Sequence, residues 1–269
     1  YYPVEWLAAF LDKEPEGRKE QAINIVQSLG YKVKRPDINE SGQVWEISQT
    51  EKKTLVQPLT SIKGLGDKAV EQHRPFNDVE ELLFNDDIVY SKLNKKALDV
   101  MARCGAMNCL MDERFTGMKH FWSAVAVDRP KKEKDLIDNI ELYKPEGDFS
   151  DMEKIEYLTG LTGIFPFSLV LKNDVYDSIK KNKIPALGEY DKAIGVAWFI
   201  PREVIEKKTK TGKPYYIVKT IDDTNNQFAI KCWGVNPAMD RVAINRPYLA
   251  KLDYNETWGF SSRSISRNW

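Results

Sequence analysis

Apolar positions recur at helical spacing through the first two-thirds of the chain and then switch to strict alternation. This predicts an α+β protein whose helical part comes first. Tyr2, Val4, Trp6, Leu7, Phe10 and Leu11 form a wide helical stripe over 2–12, with Pro3 suited to a first turn. A charged break at 13–17 precedes a second stripe, Ile23, Val26 and Leu29, that ends at Gly30. Short strands are predicted at 31–34, 44–47 and 54–59, with a polar loop of Asx-type turns between them at 35–41. Helices follow at 77–84, capped by Asn77 with Glu80 three residues on, at 93–101, capped by Asn94, and at 115–127. A charged hinge at 128–134 leads to helices over 152–161 and 174–181.

From Lys192 the period becomes two. Strands are predicted over 192–201, 215–221 and 227–233, then a short helix at 237–242 and one or two more strands over 248–260. Five strands and a short helix in this length suit a small barrel of the oligonucleotide-binding (OB) type, and a β-sandwich fragment is the competing reading.

Two stretches carry candidate chemistry. In Ser61-Ile62-Lys63-Gly64-Leu65-Gly66-Asp67-Lys68, two glycines one residue apart allow a tight turn, and the amides opening the next helix carry partial positive charge. That arrangement seats a phosphate. A glycine helix stop is the plainer alternative. Lys95 and Lys96, at the start of a helix, either reach a phosphate or are simply solvated. In the arm Lys207-Lys208-Thr209-Lys210-Thr211-Gly212-Lys213, four lysines crowd seven residues, a charge density that fits an anionic strand or a solvated hairpin. Trp198, Tyr215, Tyr216 and Trp233 are the candidates for stacking on bases. Because Tyr215 and Tyr216 are adjacent on a strand, one faces the core.

Composition narrows the picture little. Forty basic and forty acidic residues cancel, so a nucleic-acid surface has to come from local clustering. Three cysteines without metal spacing and two histidines argue for reduced thiols and against zinc. No apolar run reaches the ~20 residues of a membrane span. A soluble cytoplasmic protein and a piece of a longer polypeptide are the expectations.

Several blocks are ordered along the chain in a recognisable way. They are Tyr2-Pro3-Val4-Glu5-Trp6-Leu7-Ala8-Ala9-Phe10-Leu11, Pro36-Asp37-Ile38-Asn39-Glu40-Ser41, Ile62-Lys63-Gly64-Leu65-Gly66 with Ala69-Val70, Pro75-Phe76, and Asn94-Lys95-Lys96-Ala97-Leu98 leading to Gly105-Ala106. Their order and spacing resemble the bacterial replicative DNA polymerase III alpha subunit, the C family of DNA polymerases. Gly195-Val196-Ala197, the basic arm and Ile221-Asp222-Asp223 resemble that family's C-terminal OB domain. The hairpin reaches Pro75-Phe76 sooner than in the family, which suggests a phage or mobile-element copy.

The resemblance implies late fingers over 1–60, a helix-hairpin-helix region over 61–127, a helical linker over 128–190 and the OB-type barrel over 191–269. It implies a DNA-binding portion of a nucleotidyltransferase. Lys63, Gly64, Leu65, Gly66 and Lys68, with Lys95 and Lys96, would hold primer-template duplex, and the arm and aromatics would hold single-stranded template. The palm that carries catalytic Mg²⁺ in that family precedes everything here, so no catalytic residue, metal or cofactor is expected in this chain. Asp86-Asp87 and Asp222-Asp223 read as turn residues. The palm region, a sliding clamp and other replication proteins are the implied partners. A stand-alone DNA-binding or host-replication-interacting module and a recombination or repair scaffold are the rival functions.

Overall fold

The computed structural model describes residues 3–66, 75–86, 88, 91–233, 242–263 and 265–266. Lys68, Asp87 and all of the 237–242 helix but Val242 lie outside the described residues. By its internal packing the chain divides into two units, Tyr1–Phe165 and Pro166–Trp269.

In the first unit, α1 (Pro3–Lys13) and α2 (Lys19–Ser28) bury Leu7, Ala8 and Leu11 against Ala22, Ile23 and Val26. A small sheet joins this core through Trp45 and Leu55. Its strands, β1 (Lys32–Lys34), β2 (Glu46–Ile47) and β3 (Thr54–Val56), are ordered β1-β3-β2, with β1 parallel and β2 antiparallel to β3. They are shorter than the apolar runs suggested.

The larger core gathers Ile62 and Leu65 with α3 (Val79–Phe84), α4 (Lys95–Arg103) and α5 (Met118–Trp122). Alpha-helical geometry loosens after Trp122 into a π turn, Ser123–Val127, so the predicted single helix over 115–127 is two pieces. The cap of α3 is also one residue later than predicted. Asp78, not Asn77, accepts from Glu81 N–H at 2.8 Å, and a Glu81 carboxylate oxygen in turn accepts from Asn77 N–H at 2.7 Å. The pattern is a variant of the capping box in which Glu81 reaches back to the residue before the cap and not to the amide of Asp78 itself.

The loop at 35–41 is a staple. Asp37 accepts from the amides of Asn39 and Glu40, and Asn39 then exchanges two 2.8 Å hydrogen bonds with the backbone of Phe76, one in each direction. Ile38 N–H donates to Ala106 O. After α6 (Glu133–Leu142) comes α7 (Asp151–Thr162), opened by a Ser150–Glu153 capping box and closed by Gly163 at φ 75°. Its last carbonyls are taken by Lys63 N–H (to Leu161 O, 2.9 Å) and by the buried Gln57 side chain (to Thr162 O, 2.6 Å). The hairpin at 62–66 is thereby tied to a helix about a hundred residues downstream.

The second unit begins with α8 (Phe167–Val170) and α9 (Asn173–Lys181) and continues into β structure. Its strands are β4 (Val196–Lys208), β5 (Pro214–Ile221), β6 (Gln227–Trp233), β7 (Tyr248–Lys251), β8 (Asp253–Asn255), β9 (Gly259–Ser262) and β10 (Ile265–Ser266). Antiparallel pairing runs β4-β5-β6 and β4-β7, and β9 is parallel to β6. Only Leu252 separates β7 from β8, and only residues 263–264 separate β9 from β10. The two segments pair as one hairpin, Asp253 opposite Ser261 and Ala250 opposite Ile265.

Counted as continuous segments, the described strands are five. Their pairings run first-second-third-fifth-fourth and back to the first, an OB-like barrel around Ala197, Phe199, Val218, Ile230, Tyr248 and Phe260. The first strand is longer than predicted. A bulge between Pro201 and Glu203 interrupts its alternation, after which it continues to Lys208.

Candidate nucleic-acid interfaces

The hairpin is built from Leu59–Ser61, a 3₁₀ turn, followed by Ile62, whose carbonyl accepts from Leu65 N–H at 3.0 Å. Ile62 and Leu65 are buried and anchor the turn, while Lys63, Gly64 and Gly66 are exposed. Gly64 sits at φ 87°, in the left-handed region where a glycine is favoured, whereas Gly66 has no positive φ. Among the described residues, neither glycine amide has a protein acceptor, but the Lys63 amide is spent on Leu161. The tip of the turn, not its first residue, therefore presents free N–H groups.

The fold brings Lys96 to this tip. A Cβ placed on Gly64 would lie 3.5 Å from Lys96 Cε and 3.9 Å from its Nζ. Lys95 and Lys96 both open α4, are exposed, and follow Asn94, which caps the helix by accepting from Ala97 N–H at 3.0 Å. The Lys96 side chain, in the first turn of a helix without first-turn acids, thus stands beside Gly64 at the tip of the hairpin. Such a spot attracts an anion.

In the second unit, Lys207 and Lys208 are strand residues opposite Tyr215 and Pro214, not part of a free arm. The connecting turn is fastened by Thr209, which donates N–H to Lys213 O at 2.8 Å and accepts from Lys213 N–H through Oγ1 at 3.0 Å. Lys210 and Lys213 are exposed on it. Register then places Lys207, Tyr215 and Trp233 in one row across three strands. Tyr215 and Trp233 stack with centroids 4.8 Å apart and planes 24° from parallel, and Trp233 remains 48% exposed.

Trp198 and Tyr216 belong elsewhere. They are 2% and 8% exposed, so neither offers a ring face to a ligand, and both drop out of the stacking set. Two residues that sequence reasoning missed share the surface instead. Lys231, two positions before Trp233 on β6, holds its Nζ 5.3 Å from the ring centre of Trp258, which is 69% exposed in the loop between β8 and β9. An exposed tryptophan beside Gly259 was the available signal.

The acidic pair Asp222-Asp223 is engaged. Burial pushes both carboxyls up from the usual range. Asp222 is wholly buried, accepts from Gly188 N–H at 2.6 Å and holds Thr224 through N–H and hydroxyl. Asp223 accepts from the Tyr176 hydroxyl at 3.2 Å. Among the described residues no three His, Cys, Asp or Glu side chains gather as metal ligands, and these donors do not fit a two-metal polymerase centre. Nor, among them, is any helix long and apolar enough to cross a membrane.

Residues 30–117 match a family of helix-hairpin-helix motifs. The alpha subunit of DNA polymerase III from Chlamydia muridarum is 28% identical over 192 residues, 68% of this chain and 13% of that subunit. The Chlamydia trachomatis subunit is 32% identical over 40% of the chain, and a Xylella fastidiosa subunit 29% over 44%. The chain spans only 13%, 9% and 10% of the length of these relatives. The resemblance carried by the ordered sequence blocks therefore holds: this chain is similar to the DNA polymerase III alpha subunits and fits the C-terminal region of that family.

Proposed function

We propose that this chain is the DNA-holding portion of a C-family replicative polymerase, gripping primer-template duplex with the hairpin and single-stranded template with the barrel. The observation that carries the reading is the hairpin tip, where the Gly64 and Gly66 amides lack protein acceptors among the described residues and Lys96 stands beside Gly64, inside the matched motif. Backbone amides and ammonium groups at that spacing hold phosphate without reading sequence. Lys63 and Lys95 add charge at the margins, and Leu65 acts as the buried anchor of the turn.

On the barrel, the Tyr215–Trp233 stack and the Lys231–Trp258 pair supply ring faces, with Lys207, Lys208, Lys210 and Lys213 for the backbone. Stacking of bases on such rings is tolerant of sequence and suits template handling. The palm, with its Mg²⁺, and any sliding clamp are partners outside this chain, and the purified chain has no nucleotidyl transfer activity of its own.

The test is fluorescence anisotropy with labelled primer-template duplex and labelled oligo-dT across a salt series. The expected result is salt-sensitive binding of both, with Lys96→Met weakening duplex alone and Trp233→Ala weakening oligo-dT alone. Equal weakening of both ligands by either variant, or binding that ignores salt, would overturn the assignment, as would Mg²⁺-dependent primer extension.

A further inference from the structure

The second unit also holds a cleft of about 460 Å³, lined in part by Leu187, Tyr190, Phe228, Tyr254 and Phe260, that the proposed function does not use. Phe260 forms its floor. Tyr190 and Phe228 stand edge-on to that ring, at 89° and 87°, with centroids 5.2 and 5.7 Å away, and Tyr254 leans over it at 4.9 Å while remaining 46% exposed.

The wall carrying Tyr190 is held in place. The buried Asp222 carboxylate accepts from Gly188 N–H, and the Tyr190 hydroxyl is committed to Leu252 O at 2.6 Å. Gly188 packs so closely that a Cβ there would lie 2.3 Å from Thr224 Oγ1. The cleft is therefore preformed, with ring surface to offer, and preorganisation of this kind favours binding.

Its charge sets it apart from the rows proposed to hold DNA. Glu189 lies between the lining residues Gly188 and Tyr190, Asp191 follows Tyr190, and Asp253 precedes Tyr254, all three exposed. Burial, and then Asp253 and Asp191, push the Tyr190 hydroxyl above its ordinary range, which places both carboxylates within electrostatic reach of the cleft. Of the lysines nearest the lining, Lys219, opposite Ala229, is ion-paired with Glu203 at 2.7 Å, and Lys231 lies over the Trp258 ring. Lys207, Lys208, Lys210 and Lys213 lie along or beyond the strand ends at Tyr215. An acidic rim repels phosphodiester and attracts ammonium and guanidinium.

We propose that this cleft docks a segment of a partner protein, which inserts a bulky apolar side chain among Tyr190, Phe228 and Tyr254 and sets flanking lysines or arginines against Glu189, Asp191 and Asp253. The barrel then has two faces of opposite charge, one for the DNA strand and one for a basic peptide. A buried aromatic or aliphatic anchor with charged groups at the rim is the usual division of labour at such interfaces.

The test is selection from a random peptide display library on the full 269-residue chain with oligo-dT kept saturating. One selected peptide is then resynthesised and titrated against the parent, the Glu189→Lys/Asp253→Lys double variant and Tyr254→Ala. The selected peptides are expected to share a large apolar residue flanked by Lys or Arg, and affinity should fall at least about tenfold in each variant. Circular dichroism and oligo-dT binding should stay as in the parent, which separates loss of the cleft from loss of folding. The inference is overturned if the selected flanks are neutral or acidic, if the charge-reversed variant binds as before, or if no peptide is selected with oligo-dT present, where selection only in its absence would assign the cleft to the strand.

Discussion

Gly64→Ala and Gly66→Ala should separate the two roles a hairpin glycine can play. Gly64 occupies φ 87°, where a side chain costs about 1–2 kcal/mol. Its new Cβ would meet Lys96 Cε at 3.5 Å, ordinary van der Waals distance, so the whole cost is backbone strain. Gly66 has no positive φ, and a methyl group at its Cα would find no atom of the described residues within 4 Å, so its substitution should leave the free protein close to parental stability. If the tip seats a phosphate as proposed, that methyl would stand in the open space beside the amides. The expectation is that Gly64→Ala lowers the stability of the first unit by about 1–2 kcal/mol, and lowers duplex affinity only as far as the turn relaxes out of its left-handed conformation. Gly66→Ala should lower duplex affinity with unchanged unfolding. Urea unfolding followed by circular dichroism, with anisotropy on primer-template at fixed salt, measures both quantities. If folded Gly66→Ala and Gly64→Ala both bind duplex like the parent, the hairpin is only a helix stop and the amide argument fails.

Three further outcomes follow from the geometry. Asn39→Ala removes both hydrogen bonds to the Phe76 backbone and should cost about 1–3 kcal/mol in unfolding free energy, whereas a surface change such as Lys131→Ala should fall within about 0.5 kcal/mol. The Arg114 guanidinium holds the Glu80 and Asp112 carboxyls below their usual range, so the stability they contribute is present near neutral pH and is lost as pH falls through those depressed values. Because these groups are partly exposed, Arg114→Met should cost only about 0.2–1 kcal/mol per pair at pH 7, and the difference from the parent should shrink as the carboxyls protonate on the acid limb of a pH series of unfolding curves. On oligo-dT, Trp258→Ala should cost about 1–3 kcal/mol per base stacked, and replacing Lys207, Lys208, Lys210 and Lys213 with Ala should flatten the salt slope by up to about 0.7 for each lysine–phosphate pair removed; an unchanged slope would return these lysines to the solvated surface.

What could be read from the chain was what short-range physics dictates. Leu7, Leu11, Ile23 and Val26 had to be buried, and they are, whereas Trp6 and Leu29, read as part of the same stripes, stay exposed. The glycines around Leu65 implied a tight turn, and Gly64 takes the left-handed conformation that only a glycine adopts freely. Local chemistry also explains the near misses. Asn77 and Asp78 can each cap, Glu80 and Glu81 can each close the box, and the choice between them depends on Val79 and Leu82 reaching the core. The first barrel strand looked as if it ended near Pro201 because a bulge shifts its register there, and a shift of one residue inverts which side chains face inward.

Functional geometry on the barrel was harder to read because it is set by strand order. Trp258 lies 25 residues beyond Trp233 in the chain, and it joins Lys231 because β9 runs parallel to β6, a pairing that no local pattern announces. Asp222 has the sequence of a turn and does hold one through Thr224, yet its other oxygen secures Gly188, 34 positions away, and so shapes the aromatic cleft. Lys96 stands in the same relation to Gly64. Trp258 and Asp222 looked like ordinary loop and turn positions and Lys96 like either a phosphate contact or a solvated lysine, and each gains its place from an element packed against it. Residues of this kind are therefore best tested in pairs: if Lys96 and the hairpin amides serve one phosphate, the loss from Lys96→Met should shrink in the Gly66→Ala background, whereas independent phosphate sites would give additive losses.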